Sequence, residues 1–120
     1  MPFAALAAFL LAAAVGLGAF GAHALKERLD VYALGIWEKA VFYHFVHALG
    51  MLIVASMAKL REPAAQLVCW FLLAGIVLFS GSLYMLALTG TRALGAITPL
   101  GGAAFIAAWA LLCWSLLRSS

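Results

Sequence analysis

Residues 37–58, WEKAVFYHFVHALGMLIVASMA, decide the fold of this chain. This stretch is apolar over most of its length and reaches the roughly 20 residues that a helix needs to cross about 30 Å of hydrocarbon. Three further apolar stretches of similar length occupy residues 3–25, 65–88 and 98–117. Backbone groups in lipid must be satisfied within their own segment, and four spans are too few to close a barrel. The sequence therefore predicts an all-α membrane protein, an up-and-down bundle of four transmembrane helices.

The composition indicates a chain that lies almost entirely in the membrane. Of its 120 residues, 68% are hydrophobic and 9% are charged, whereas a soluble domain carries about 25% charged residues. The mean hydropathy is +1.17, so we expect one transmembrane domain over residues 1–120 and no soluble domain. The net charge of +3 comes from Lys and Arg at the ends of loops. That distribution fits lipid headgroups as partners and not nucleic acid.

The first apolar stretch has two features that need interpretation. Ala22-His23-Ala24 resembles the cleavage site of a signal peptide, but no Lys or Arg precedes the stretch and it exceeds the core length of roughly 7–15 residues. We therefore interpret it as a retained membrane helix. Ala14, Gly18 and Ala22 repeat every four residues, which predicts the close approach of another helix. Packing is favoured over a ligand against the backbone, and the partner helix could belong to the same chain or to a second copy.

The connections between the spans are less determined. Residues 26–36 predict either a short amphipathic helix in the membrane interface or a solvated loop. Trp37 is typical of an interface anchor. Thr98 can cap the fourth helix, and Pro99 suits its first position. The Lys and Arg residues are divided almost evenly between the two membrane faces, so they do not determine the orientation.

The polar residues of the spans fall in one half of the bilayer. Because the spans alternate in direction, the end of the first, the start of the second, the end of the third and the start of the fourth share one face. The two histidines of the second span lie roughly 10 and 15 Å in from Trp37. The opposite half is almost purely aliphatic or phenylalanine. We therefore predict a binding site at this level, formed by His23, Tyr43, His47, Ser80, Ser82, Tyr84 and Thr98.

His47 is central to this predicted site, because an ionisable group at membrane depth is costly and is a functional candidate by default. As a structural residue it would be a hydrogen-bonded packing group, with Tyr84 or Ser80 as its partner. As a functional residue it would accept a proton or bind a ligand. His44 lies three residues earlier, but two histidines without a nearby carboxylate or thiolate are a weak metal signal. We predict neither a metal nor a cofactor.

Two other groups of reactive side chains have structural interpretations. Ser80 and Ser82 would need an adjacent base and an orienting acid to act as nucleophiles, and no Asp or Glu lies deep enough to complete a triad. We therefore predict no catalytic residues. Cys69 and Cys113 lie in separate apolar stretches and are interpreted as buried small hydrophobic residues, not as a disulfide.

Four motifs resemble those of the YgdD family of small integral membrane proteins. In order along the chain they are Gly18-Ala19-Phe20-Gly21-Ala22-His23, the stretch from Tyr43 to Leu49, Phe79-Ser80-Gly81-Ser82-Leu83-Tyr84, and Ile97-Thr98-Pro99-Leu100-Gly101-Gly102. The resemblance implies four transmembrane helices in a bacterial inner (plasma) membrane. It implies no chemistry, because the function of that family is unknown. The signature residues that it implies here are His23, Tyr43, His47, Ser80, Ser82, Tyr84, Pro99 and Gly102.

Three classes of function follow from these observations. The preferred one is non-enzymatic: a bundle that binds a small molecule, a lipid or a partner in a polar pocket of one leaflet. The alternative is a small transporter or proton-linked conductor that uses His47, which four helices would support only as a homo-oligomer. The third is a membrane enzyme with a metal or a quinone, which would show bound metal or a chromophore after purification.

Overall fold

The computed structural model describes residues 2–57 and 62–119. Its elements are α1 (Phe3–His23), α2 (Val31–Ala55), α3 (Glu62–Gly75), a π-helical turn (Ile76–Ser80), α4 (Gly81–Thr89), a short 3₁₀-helix (Arg92–Ala96) and α5 (Thr98–Ser119). The segment from α3 through α4 is continuous and forms the third span. Within these described ranges, four helices are long and apolar enough to cross a membrane, which confirms the predicted fold class. The predicted end of the second span at residue 58, with Lys59 and Arg61, lies outside the described residues.

The spans pack side by side in an up-and-down bundle about 50 Å long and 26 by 21 Å across. α1 packs on α2, α2 packs on the third span, and the third span packs on α5. An apolar core fills one half of the bundle, and its buried residues are Phe3, Ala7, Ala48, Met51, Val54, Val68, Cys69, Leu72, Ile76, Phe105 and Ala108. A smaller core in the other half is built from Leu25, Trp37 and Ala87.

α2 begins at Val31 and not at Trp37, because the side chain of Asp30 caps its first turn. The Asp30 carboxylate accepts a hydrogen bond from the backbone N–H of Ala33 at 2.7 Å. Such a cap satisfies one of the donors that a helix leaves free at its start. Residues 31–36 are therefore the first turns of α2, and only the residues before Asp30 form a turn. Neither interpretation of the 26–36 connection was right for its whole length.

Trp37 is a core residue and not an interface anchor, which corrects the sequence-based expectation. Only 3% of its surface is exposed. Its indole N–H donates to the backbone carbonyl of Leu17 on α1 at 2.9 Å, and the Tyr84 ring lies 4.7 Å away between centroids. Because α2 starts earlier than predicted, Trp37 lies in its second turn and faces the bundle interior.

The Ala14/Gly18/Ala22 strip of α1 contacts α2 of the same chain over part of its length. Ala14 is 1% exposed, and a Cβ atom at Gly18 would lie 3.3 Å from the Val41 side chain. Small residues at this position let the two helices approach closely, as predicted. Ala22 is exposed.

The two cysteines have different environments. Cys69 is buried in the apolar core, as predicted, whereas Cys113 is exposed. The expectation for Cys113 was wrong because α5 presents that side to the surroundings and not to the third span. An exposed thiol at this depth would face lipid.

Candidate functional site

Two polar side chains of the third span contact α2. The Ser80 hydroxyl donates to the backbone carbonyl of Ala40 at 2.7 Å, and the Tyr84 hydroxyl lies 2.8 Å from Nδ1 of His44. Ser80 is completely buried. Residues four apart share a helix face, and here that face is turned toward α2. These two hydrogen bonds hold the third span and α2 together.

A second pair joins the third span to α5. The Ser82 and Thr98 hydroxyls lie 2.6 Å apart, and the Ser82 hydroxyl also donates to the Phe79 carbonyl at 3.0 Å. Thr98 reaches back to the Leu94 carbonyl at 3.5 Å. The predicted capping role of Thr98 is therefore replaced by a contact between helices.

His47 faces the bundle interior, with 6% of its surface exposed. Its Nδ1 lies 2.8 Å from the Tyr43 carbonyl one turn earlier. A carbonyl oxygen only accepts, so Nδ1 carries a proton and donates it to this hydrogen bond. The ring stacks on Phe105 of α5 with 3.5 Å between centroids. The expectation that Tyr84 or Ser80 would satisfy His47 was wrong, because both bond elsewhere on α2.

His44 is the residue that sequence reasoning undervalued. It is 4% exposed, and its Nε2 is buried without a hydrogen-bond partner among the described residues. A signal was present in the sequence: most of the buried positions of α2 follow the alternating three- and four-residue spacing of a packed helix face. Six of the eight buried residues of α2 have this spacing, namely Trp37, Ala40, His44, His47, Met51 and Val54; the other two are Ala48 and Gly50.

The remaining predicted site residues lie apart from these pairs. Tyr43 packs its ring on Phe79 at 4.4 Å between centroids, and it stacks parallel to the His47 ring. His23 is exposed at the end of α1. In the described part of the chain, no group of three His, Cys, Asp or Glu side chains is placed to hold a metal. His44, Ser80 and Ser82 thus bond to neighbouring helices, whereas His47 bonds within α2. A role of these buried residues as ligand contacts stays a prediction.

Replacing Tyr84 with phenylalanine tests whether these pairs stabilise the bundle. The change removes the hydroxyl that bonds His44 and leaves the ring in place. Hydrogen bonds between membrane helices average about 0.6 kcal/mol and reach about 1.7, so we expect a loss of about 1 kcal/mol in SDS-induced unfolding. Tyr32→Phe is the matched control, because Tyr32 is 75% exposed. Equal stability of the two variants would contradict a structural role for the Tyr84 hydroxyl.

A groove opens between α1 and α2 beside these pairs, with a volume of about 630 Å³. The residues that line it are Gly18, Gly21, Ala22, Lys26, Leu34, Trp37, Glu38, Val41, Phe42, Phe45 and Val46. The exposed side chains of Phe42 and Phe45 show that it opens on the side of the bundle. None of the seven predicted site residues lines this groove, which we call the α1–α2 groove.

A second cavity of about 520 Å³ lies near the membrane face where α2 begins and α4 ends. It is formed by the start of α2, the end of α4 and the 3₁₀-helix, and its charged residues are Asp30 and Arg92. Both side chains are exposed, so this cavity is a depression among the connecting segments and not a pocket within the spans.

Comparison with known proteins places these features in a wider group. The family described as Protein of unknown function (DUF423) matches residues 17–102. A UPF0382 membrane protein of Staphylococcus saprophyticus is 50% identical over 82% of each chain. The UPF0382 membrane protein YwdK of Bacillus subtilis is 50% identical, also over 82% of each chain. One of Staphylococcus haemolyticus is 46% identical over 92% of this chain and 90% of its own. No solved structure matches.

The names and organisms of these relatives indicate where in the cell the protein is located. They are bacterial proteins and their names call them membrane proteins. Together with the four candidate spans, they confirm the expectation of a multi-pass bacterial membrane protein.

Proposed function

We propose a non-enzymatic role for this chain, which belongs to the DUF423 family of membrane proteins of unknown function: it binds a membrane lipid in the α1–α2 groove. The observation that carries this proposal is the groove itself, an apolar channel on the side of the bundle with charged residues at one end. This location differs from the polar cluster that the sequence favours, because the buried polar groups of that cluster pair mainly with other protein atoms.

The size and lining of the groove support a lipid as its occupant. Its volume of about 630 Å³ falls in the range of roughly 300–1,000 Å³ that is typical of ligand pockets. Along α2 it extends from Leu34 to Val46, about 18 Å at 1.5 Å per residue. An acyl chain is long and apolar enough to follow such a channel.

The polarity of the groove supports an amphiphile with its headgroup at the membrane surface. Its two charged residues, Lys26 and Glu38, lie near the end of α1 and the start of α2, at the same membrane face. The rest of the lining is apolar or glycine. A lipid in this orientation keeps its headgroup at the interface while its chain runs along the aromatic side chains.

A separate proposal concerns the resemblance to the YgdD family. We propose that the YgdD and DUF423 proteins form one group. The four motifs that carry the resemblance lie between Gly18 and Gly102, and the DUF423 match covers residues 17–102. The overlap of the two regions supports this proposal.

Filling the groove with a larger side chain tests the proposed function. In Ala22→Phe the ring would occupy the groove, so we expect the amount of lipid retained after purification in mild detergent to fall roughly tenfold, equivalent to about 1.4 kcal/mol. Native mass spectrometry of the purified protein measures the bound lipid. Ala19→Phe is the matched control, because Ala19 is exposed on α1 but does not line the groove. Retention at the wild-type level in Ala22→Phe would rule out the groove as the lipid site.

A further inference from the structure

The mouth of the α1–α2 groove carries one cation and one anion. Lys26 lies in the turn after α1 and Glu38 lies in the third turn of α2, and both are exposed. They are the charged residues that line the groove. Neither forms an ion pair with any side chain in the ranges 2–57 and 63–119. The mouth therefore presents two separate, opposite charges that the described protein does not neutralise.

We infer that the groove prefers a zwitterionic aminophospholipid, whose phosphate lies near Lys26 and whose primary ammonium lies near Glu38. This inference rests on the proposed lipid-binding function and names the headgroup for the same site. Phosphatidylethanolamine is the simplest lipid of this class. Its two headgroup charges are opposite in sign to the two side chains, so each charge finds a partner.

Other common headgroups fit the mouth less well. A phosphatidylglycerol phosphate is attracted by Lys26, but it brings no positive charge to Glu38. A phosphatidylcholine headgroup carries both charges, but its quaternary ammonium has no N–H group to donate to the carboxylate, whereas a primary ammonium has three donors. The expected order of binding is phosphatidylethanolamine, then phosphatidylcholine, then phosphatidylglycerol.

Competition between lipids tests this order. Delipidated full-length protein in mild detergent is mixed with equal amounts of the three lipids, all with dioleoyl chains, and the bound species are counted by native mass spectrometry. An exposed ion pair changes an equilibrium constant by up to about fivefold. We expect phosphatidylethanolamine to exceed phosphatidylglycerol by roughly threefold to fivefold in the wild type.

Two substitutions separate the roles of the charges. Glu38→Gln should bring the ratio of phosphatidylethanolamine to phosphatidylglycerol down to about one, because it removes the partner of the ammonium. Lys26→Gln should weaken the binding of all three lipids by a similar factor, because all carry a phosphate. Glu27→Gln and Lys39→Gln are matched controls, since each is a charged neighbour that does not line the groove. Both should keep the wild-type ratio.

The outcomes distinguish this inference from the function on which it rests. Equal binding of the three lipids by the wild type, or an unchanged ratio in Glu38→Gln, overturns the headgroup assignment. The groove would still be the lipid site if Ala22→Phe lost its lipid. If Ala22→Phe bound the three lipids as the wild type does, the proposed function itself would fail.

Discussion

Replacing Gly101 with alanine is expected to destabilise the bundle by about 2 kcal/mol. Gly101 lies in the first turn of α5 and is buried against the π-helical turn of the third span. A Cβ atom at this position would overlap the backbone N and Cα atoms of Phe79. Overpacking typically costs roughly 1–3 kcal/mol, and a clash with backbone atoms places Gly101→Ala at the upper end of that range. The higher helix propensity of alanine offsets about 1 kcal/mol. A backbone cannot rotate away as a side chain can, so the two helices must separate.

The measurement is the free energy of unfolding in mixed micelles with increasing SDS. Gly16→Ala is the control, because a Cβ atom at Gly16 would have no atom within 4 Å. That control should keep or slightly raise the stability through helix propensity alone. If Gly101→Ala were as stable as Gly16→Ala, the close contact between α5 and the third span would not exist in the protein.

Replacing Trp37 with alanine is expected to destabilise the protein by about 3 kcal/mol or more. The indole joins three helices: its N–H bonds the Leu17 carbonyl of α1, a Cβ atom at Gly21 would overlap the indole, and its ring contacts Tyr84 of α4. Lipid chains are as apolar as the core, so the loss comes from van der Waals contacts and one hydrogen bond. α1 packs mainly on α2 and should be loosened most.

Two further variants separate the contribution of the Trp37 hydrogen bond from that of its ring and control for the loss of an indole. Trp37→Phe keeps an aromatic ring and removes the N–H donor, so it should cost about 1 kcal/mol. Trp114→Ala is the control for loss of an indole, because Trp114 is 59% exposed, and a change at such a position stays within about 0.5 kcal/mol. Proteolysis after α1 should become faster in Trp37→Ala alone. Equal unfolding of Trp37→Ala and Trp114→Ala would contradict the proposed role of Trp37 in holding α1.

The starts of the helices show how far local sequence rules reach. α5 begins at Thr98, but the Thr98 hydroxyl contacts Ser82 and does not act as the predicted cap. The predicted start of α2 at Trp37 misses the actual cap, Asp30. That error also misplaced Trp37 at the interface. A cap is a local signal that the sequence does contain, and an Asp three residues before the donor at Ala33 is sufficient to suggest one.

The π-helical turn is a feature that local sequence rules do not predict. Residues 76–80 read as an ordinary apolar stretch, and the flanking glycines, Gly75 and Gly81, do not distinguish a π turn from an α-helix. A π turn inserts an extra residue into a helix and changes the direction of the side chains that follow it. The directions in which Ser82 and Tyr84 point therefore depend on a feature that periodicity does not encode.

The sequence by itself determined the four spans, their alternating direction and the half of the bilayer that holds the polar side chains. These follow from the thickness of hydrocarbon and from the need to satisfy every backbone group within a helix. Only the tertiary structure decided that Tyr84 bonds His44 and not His47, and that the cavity lies between α1 and α2. Both depend on how each helix is rotated about its own axis. Lipid supplies no hydrophobic force to set that rotation, so close packing between surfaces such as Gly101 and Phe79 sets it instead.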